Sequence, residues 1–198
     1  MSLTEQHRQT RRSREHSATR ASILDAARRV AVREGARDLS LRGVAAEAGY
    51  APAALYGYFR NKDELLLALA ADDLSGLARA VREAVQSSAD DKLSAAASVA
   101  LELLENTETI AAASSALPKE AGNTESERVF NGRMIAALTA LSEALGEGAG
   151  REAQTDVVLI AATLTGLALL SRAGRLDALG FSNGELLGRL ERRFSGGF

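Results

Sequence analysis

The stretch SLRGVAAEAGYAPAALYGYFRNKDELL, Ser40 to Leu66, decides how this chain folds. It holds four of the chain's eight aromatic residues, Tyr50, Tyr56, Tyr58 and Phe59, within ten positions. Ser40 stands where it can cap a helix carrying Leu41, Val44, Ala45 and Ala48, and Gly49 stands where that helix must end. Pro52 suits the first turn of the next helix, because its missing N–H would have no partner there. Tyr50 and Leu55 have the spacing of a hydrophobic staple across that start. Asn61, followed three residues later by Glu64, opens a long helix through Leu65, Leu69, Leu74, Leu77, Val81 and Val85. Upstream, Ile23, Leu24, Ala27, Val30 and Ala31 share one face of a helix that begins near Thr19 and stops at Gly35. Three helices, with a tight glycine turn between the second and third, predict a helix-turn-helix unit over residues 19–62.

Such a unit sets its last helix in the DNA major groove, between two rows of phosphates. It needs small residues where it meets bases and longer donors where it meets the backbone. Ala51, Pro52, Ala53 and Ala54 are small, Tyr56 and Tyr58 carry hydroxyls on rigid rings, and Lys62 supplies charge. Leu55 and Phe59, four apart, share the opposite face and are expected to plug the core. Tyr50 is also expected to pack inside. Burial of Tyr56 and Tyr58 in the core is the competing reading.

The bulk composition agrees with an all-α chain. Of the 198 residues 46% are hydrophobic, mostly Ala and Leu, and only two are Pro. There is no Cys, which fits a reducing compartment, and no secretory leader is visible in the polar, basic start. The longest apolar run, Val157 to Leu170, is shorter than the roughly 20 residues that span a bilayer. It reads as a buried helix, and the protein as cytoplasmic with no membrane partner. Charge is divided: residues 1–62 hold 12 basic and 6 acidic residues, and the rest hold 12 basic and 20 acidic. A polyanion partner for the first part is one explanation, and a solvated basic surface is the other. Residues 1–18 show no apolar period and read as a flexible basic arm.

The quoted stretch resembles the DNA-binding signature of TetR-type repressors. Ala45, Gly49, Leu55, Tyr56, Tyr58, Phe59, Lys62 and Leu65 hold the places of that pattern, and the match covers roughly residues 19–67. Two positions depart from it. Tyr50 replaces the common Val after the turn glycine, and Ala at 51, 53 and 54 leaves no Ser or Thr to donate to bases. Apolar contact with thymine methyls remains open to the alanines. The resemblance also points to Arg42, at the start of the second helix, as a base reader, since Arg to guanine is the commonest specific contact. A phosphate or structural role is the alternative. Arg11, Arg12 and Arg14 either enter an adjacent minor groove or belong to a disordered tail.

The resemblance further implies that residues 63–198 form a helical domain that binds a small-molecule effector and dimerises. Helices are expected at about 91–105, 108–116, 125–145, 152–173 and 183–194, with capping boxes at Thr124/Glu127 and Ser182/Glu185. The last two helices would pair with a second copy through Val157, Ile160, Leu164, Leu167, Leu187 and Leu190. An effector pocket would lie among the long helices, with Phe130 and Met134 as its bulky lining and Asn131 and Thr163 as polar contacts. Ordinary core packing competes for Phe130 and Met134. With so few aromatics, an aliphatic or modestly polar effector suits better than an organic cation. The GEGAGRE joint, Gly146 to Glu152, lacks the features of a phosphate loop. Both His residues, His7 and His16, lie in the arm, so an enzyme is disfavoured and no catalytic residue, metal site or cofactor is expected. The reading is thus a repressor that binds a palindromic operator as a homodimer. An architectural DNA-binding protein, or an activator without effector, is the alternative.

Overall fold

The structure, a computed structural model, describes residues 3–116, 124–146 and 150–194; side chains are described from residue 5 and not at 116. Pro118 and the centre of the glycine-rich joint lie outside these residues. The described residues form helices and connections, with no strand among them. The order is α1 (Leu3–Glu34), a 3-10 turn at Ala36–Asp38, α2 (Leu41–Ala48), α3 (Pro52–Leu55) and α4 (Lys62–Ser87). It continues with α5 (Lys92–Glu105), α6 (Thr109–Ala116), α7 (Glu125–Ala144), α8 (Arg151–Arg172), α9 (Arg175–Ala178) and α10 (Asn183–Phe194).

The predicted caps form. The Ser40 side chain accepts from Gly43 N–H at 3.1 Å, and Asn61 Oδ1 accepts from Glu64 N–H at 2.8 Å. Thr124 and Glu127 close a capping box, and Ser182 and Glu185 make the same reciprocal pair. Each satisfies N–H groups that a helix start leaves without partners.

Two apolar cores share α4. The first gathers Ile23, Ala27 and Val30 of α1, Val44 of α2, Leu55, Phe59 and the α4 residues Leu65 and Leu69, together with Ala112 of α6. The second joins the rest of α4 to α5, α7, α8, α9 and α10. The first turns of α4 therefore complete the N-terminal core, and a boundary at residue 62 cuts the chain but not the packing.

Residues 3–18 depart from the expected flexible arm: they continue α1 as a helix with an exposed surface from Glu5 to Ala18. No Gly or Pro interrupts residues 1–34, and Arg11 pairs with Glu15 one turn away at 3.5 Å. A helix that buries no apolar side chain needs no apolar face, so periodicity is silent there. Helix α9 was also not legible. It is a single turn set by left-handed Gly174 and closed before left-handed Gly180, with Leu176 as its buried contact.

A candidate nucleic-acid interface

The site is built on the first core. Gly49 ends α2 in the left-handed conformation (φ 73°), a region that favours glycine, and Tyr50 N–H returns to the Ala45 carbonyl at 2.9 Å. The chain then starts α3 at Pro52. Leu55 is fully buried beneath this helix, while Ala51, Pro52, Ala53 and Ala54 are all exposed above it. The Leu55 carbonyl accepts from both Tyr58 and Phe59 N–H at 2.9 Å, which winds the following turn tightly enough to bury Phe59. A side chain at Gly57 would meet the Ala54 carbonyl at 3.3 Å.

The predicted contact residues fall into distinct environments. Tyr56 is 61% exposed and free to reach outward. Tyr58 is half-buried and stacks on His16 of α1, ring centroids 4.6 Å apart. Phe59 lies in the core under the Arg20 guanidinium. Tyr50, expected inside, is instead exposed at 36%, while Leu55 is fully buried. Arg42 is exposed on the first turn of α2 and makes no ion pair among the described residues. Lys62 is half-buried, and its ammonium donates to the Arg37 carbonyl of the 3-10 turn.

Glu47 holds α2 against α1. It accepts from Arg29 Nε at 2.7 Å and from Arg33 Nη1 at 3.1 Å. These two guanidinium hydrogen bonds hold its carboxyl below the ordinary carboxylate range. This clamp orients the helix that carries Arg42.

Residues 23–69 match the model of the tetR family of bacterial regulatory proteins. That span begins at the first buried residue of α1 and ends at Leu69, the last α4 residue of the N-terminal core. The helix-turn-helix unit is thus similar to the DNA-binding domain of that family. The whole chain is also similar in fold to solved structures. A FadR regulator from Bacillus subtilis, solved with stearoyl-CoA, is 20% identical with a TM-score of 0.63 over 90% of this chain and 98% of its own. A TetR-family regulator from Streptomyces coelicolor is 22% identical, with a TM-score of 0.61 over 89% and 99%. A protein of unknown function from Rhodococcus sp. RHA1 is 25% identical, with a TM-score of 0.68 over 89% and 93%. No curated protein matches the chain. The match covers the N-terminal helix-turn-helix unit, and the likeness in fold extends over the helical residues that follow it.

The residues expected around an effector do not converge. Phe130 is buried in the second core and Met134 packs against it; Asn131 is exposed. Thr163 is exposed and donates its hydroxyl to the Leu159 carbonyl at 2.7 Å. None of the four lines the cleft built by Arg28, Asp73 and Arg172. This cleft, of about 520 Å³, lies between the C-terminal half of α1 and the helices α4, α5 and α6. Leu77, Leu104 and Ile110 form apolar wall, and Arg28, Asp73 and Arg172 stand among its polar groups. Asp73 organises them: its carboxylate accepts from Arg28 Nη2 at 2.8 Å, from Thr107 at 3.2 Å and from buried Thr109. Desolvation lowers the Arg28 pKa, but its hydrogen bonds to Asp73 and Asp72 more than compensate and leave it raised.

The residues expected at a dimer interface are also placed differently. Val157, Ile160, Leu164, Leu167 and Leu190 are buried in the protomer's own core, and Leu187 is half-buried against it. The α8 run is therefore not apolar inside on all sides. Arg151–Arg172 is long and apolar enough by composition to cross a membrane, yet most of its apolar stretch is not buried within the protomer. Its opposite face exposes Val158, Leu159, Leu169 and Leu170 around the small residues Ala162 and Gly166. An apolar run shows that a helix has two faces to cover; it does not show which one the protomer takes.

Proposed function

We propose that this regulator is a repressor that binds a palindromic operator as a homodimer and releases it when a small molecule occupies the cleft between α1 and α4–α6. The observation that carries the reading is α3: four small exposed residues, Ala51 to Ala54, stand over buried Leu55, flanked by exposed Tyr56 and Arg42. Small residues allow close approach to base edges, and the rigid core beneath holds them in register.

The homodimer rests on the exposed face of α8. A second copy would cover Val158, Leu159, Leu169 and Leu170 by a two-fold contact in which Ala162 and Gly166 let the helices approach. Such a dimer presents two copies of α3, and operator symmetry would mirror it. The cleft suits an effector with an apolar body and a polar end. Arg28 comes from the DNA-binding domain and Asp73 from the shared helix α4, so a ligand that inserts there disturbs the contact that orients one against the other. The required coupling is modest, about 1–3 kcal/mol, and operator DNA must weaken effector binding by the same factor.

Selection of bound sequences from random duplexes with the purified protein tests the reading. The expected product is a palindrome protected on two successive major grooves. A protein that enriches no sequence, or one half-site only, refutes the repressor dimer.

A further inference from the structure

The N-terminal extension of α1 is the feature that the helix-turn-helix does not account for. Its first buried residue is Ile23, so residues 5–18 add nothing to the apolar core. The extension is nonetheless anchored. His16 stacks on Tyr58 at 4.6 Å, and Arg20 lies over the Phe59 ring at 5.1 Å. Both partners belong to the turn that immediately follows α3. Residues 3–15 therefore leave the domain beside the end of the recognition helix. At about 1.5 Å per residue they reach some 20 Å beyond it.

Basic residues outnumber acidic ones in this extension, Arg8, Arg11, Arg12 and Arg14 against Glu5 and Glu15. Arg8, Arg12 and Arg14 form no ion pair among the described residues, whereas Arg11 pairs with Glu15. Arg8 and Arg12, one turn apart, are like charges with no carboxylate between them, and Arg14 presents a third guanidinium on another side of the helix. They match a polyanion that runs past Tyr58. Duplex DNA offers a phosphate about every 3.4 Å on each strand, so a helix of this length spans roughly six of them.

We propose that residues 3–15 form a helical outrigger that contacts backbone phosphates flanking the half-site, through Arg8, Arg12 and Arg14. This inference rests on the reading of α3 as the recognition helix, since that reading brings DNA to Tyr58. A guanidinium that meets phosphate releases counterions and carries no base information. The outrigger adds affinity for any duplex and lengthens the footprint without lengthening the recognised sequence.

Two variants test it: deletion of residues 2–15, which stops short of His16 and the core, and the triple Arg8→Gln, Arg12→Gln, Arg14→Gln, which keeps the helix. Binding to a random 40-base-pair duplex and to the selected operator is measured across a salt titration, with circular dichroism as the check on helicity. The expected result is about a tenfold or greater loss at moderate salt for both variants on both duplexes. The salt slope should fall by about two to three per subunit, and backbone protection should shorten outside the palindrome. Unchanged affinity and slope in the triple variant overturn the outrigger, including the case where deletion alone weakens binding through loss of support for Tyr58. Loss on the operator but not on random DNA also overturns it, because it makes the arginines base readers. In either case the intact helix-turn-helix would still bind its operator. A full-length protein that binds no duplex removes the α3 reading and the outrigger together.

Discussion

Arg42 and Lys62 are both cations beside α3, and their surroundings assign them different work. Arg42 has a planar fork, is exposed and makes no ion pair among the described residues, next to a helix whose alanines cannot donate to bases. Arg42→Ala is expected to cost about 1–3 kcal/mol per half-site and to relax preference at one base pair, with random-DNA affinity changed much less. Uniform loss on every duplex would make it a phosphate clamp. The Lys62 ammonium already donates to the Arg37 carbonyl. Lys62→Ala should therefore do two things: lower the salt slope by about one per subunit, and lower thermal stability by freeing the 3-10 turn. A variant that changes the slope with no change in melting shows that the internal contact carries no weight. Phe59 stands apart from both. It is buried to 1% under Arg20, so Phe59→Ala should cost about 3–5 kcal/mol in denaturant unfolding. A loss below about 1 kcal/mol would mean that the turn can close without its plug.

At the scale of elements, α8 and α10 supply the sharper tests. Around Gly166 an added Cβ meets nothing within 4 Å, so the protomer has room for a larger side chain there. Leu is also the better helix former. Gly166→Leu should leave the monomer folded, or make it more stable, and should abolish the dimer by blocking close approach of the two α8 helices. Sedimentation measures this, and a dimer that survives the substitution places the interface elsewhere. Helix α10 meets the start of α5 through two acids. The Glu191 carboxyl is pushed above its ordinary value by its contact with the carboxyl of Asp91, which itself caps α5 by accepting from Ser94 N–H at 3.2 Å. A raised carboxyl pKa means that the folded chain holds the proton more tightly than the unfolded one. Stability is then lost as pH rises through the carboxylate range. Glu191→Gln should melt higher than the unsubstituted chain at pH 7, with the gap closing below about pH 4. A gap independent of pH would show that packing, not charge, sets it.

On the whole-molecule scale, one carboxylate ties the two cores together. Asp73 of α4 receives Arg28 from α1 and Thr107 and Thr109 from the start of α6, and Ala112 of α6 completes the N-terminal core. Loss of this charge leaves Arg28 with only the more exposed carboxylates of Asp72 and Asp25. Asp73→Asn should cost about 1.5–3 kcal/mol. In hydrogen exchange, α1 from Asp25 to Glu34 should open separately from α5 and α7. If those segments still exchange as one unit, the link through Asp73 does not couple the domains, and an effector in the cleft needs another route to α3.

Much of this molecule follows from local rules that the chain carries in its own order of residues. Ser40, Asn61, Thr124 and Ser182 cap helices because a short polar side chain reaches the N–H three positions on, whatever lies around it. Gly49, Pro52 and the four-residue spacing of Leu55 and Phe59 determine the helix-turn-helix for the same reason. Their consequences are confined to one or two turns of backbone. Where several residues must meet across distant elements, only the tertiary structure decided. Val157 and Leu164 are as apolar as Val158 and Leu159, and the rotation of α8 about its axis chose which pair enters the core. The cleft forms where α1 passes α4 and α6, helices whose separation in sequence conceals their contact, so Phe130 and Met134 look as suitable as Leu77 and Ile110 before packing. The outrigger is the inverse case: a helix without an apolar stripe leaves no periodic trace, and its place beside α3 depends on a ring of α1 meeting a ring more than forty residues away.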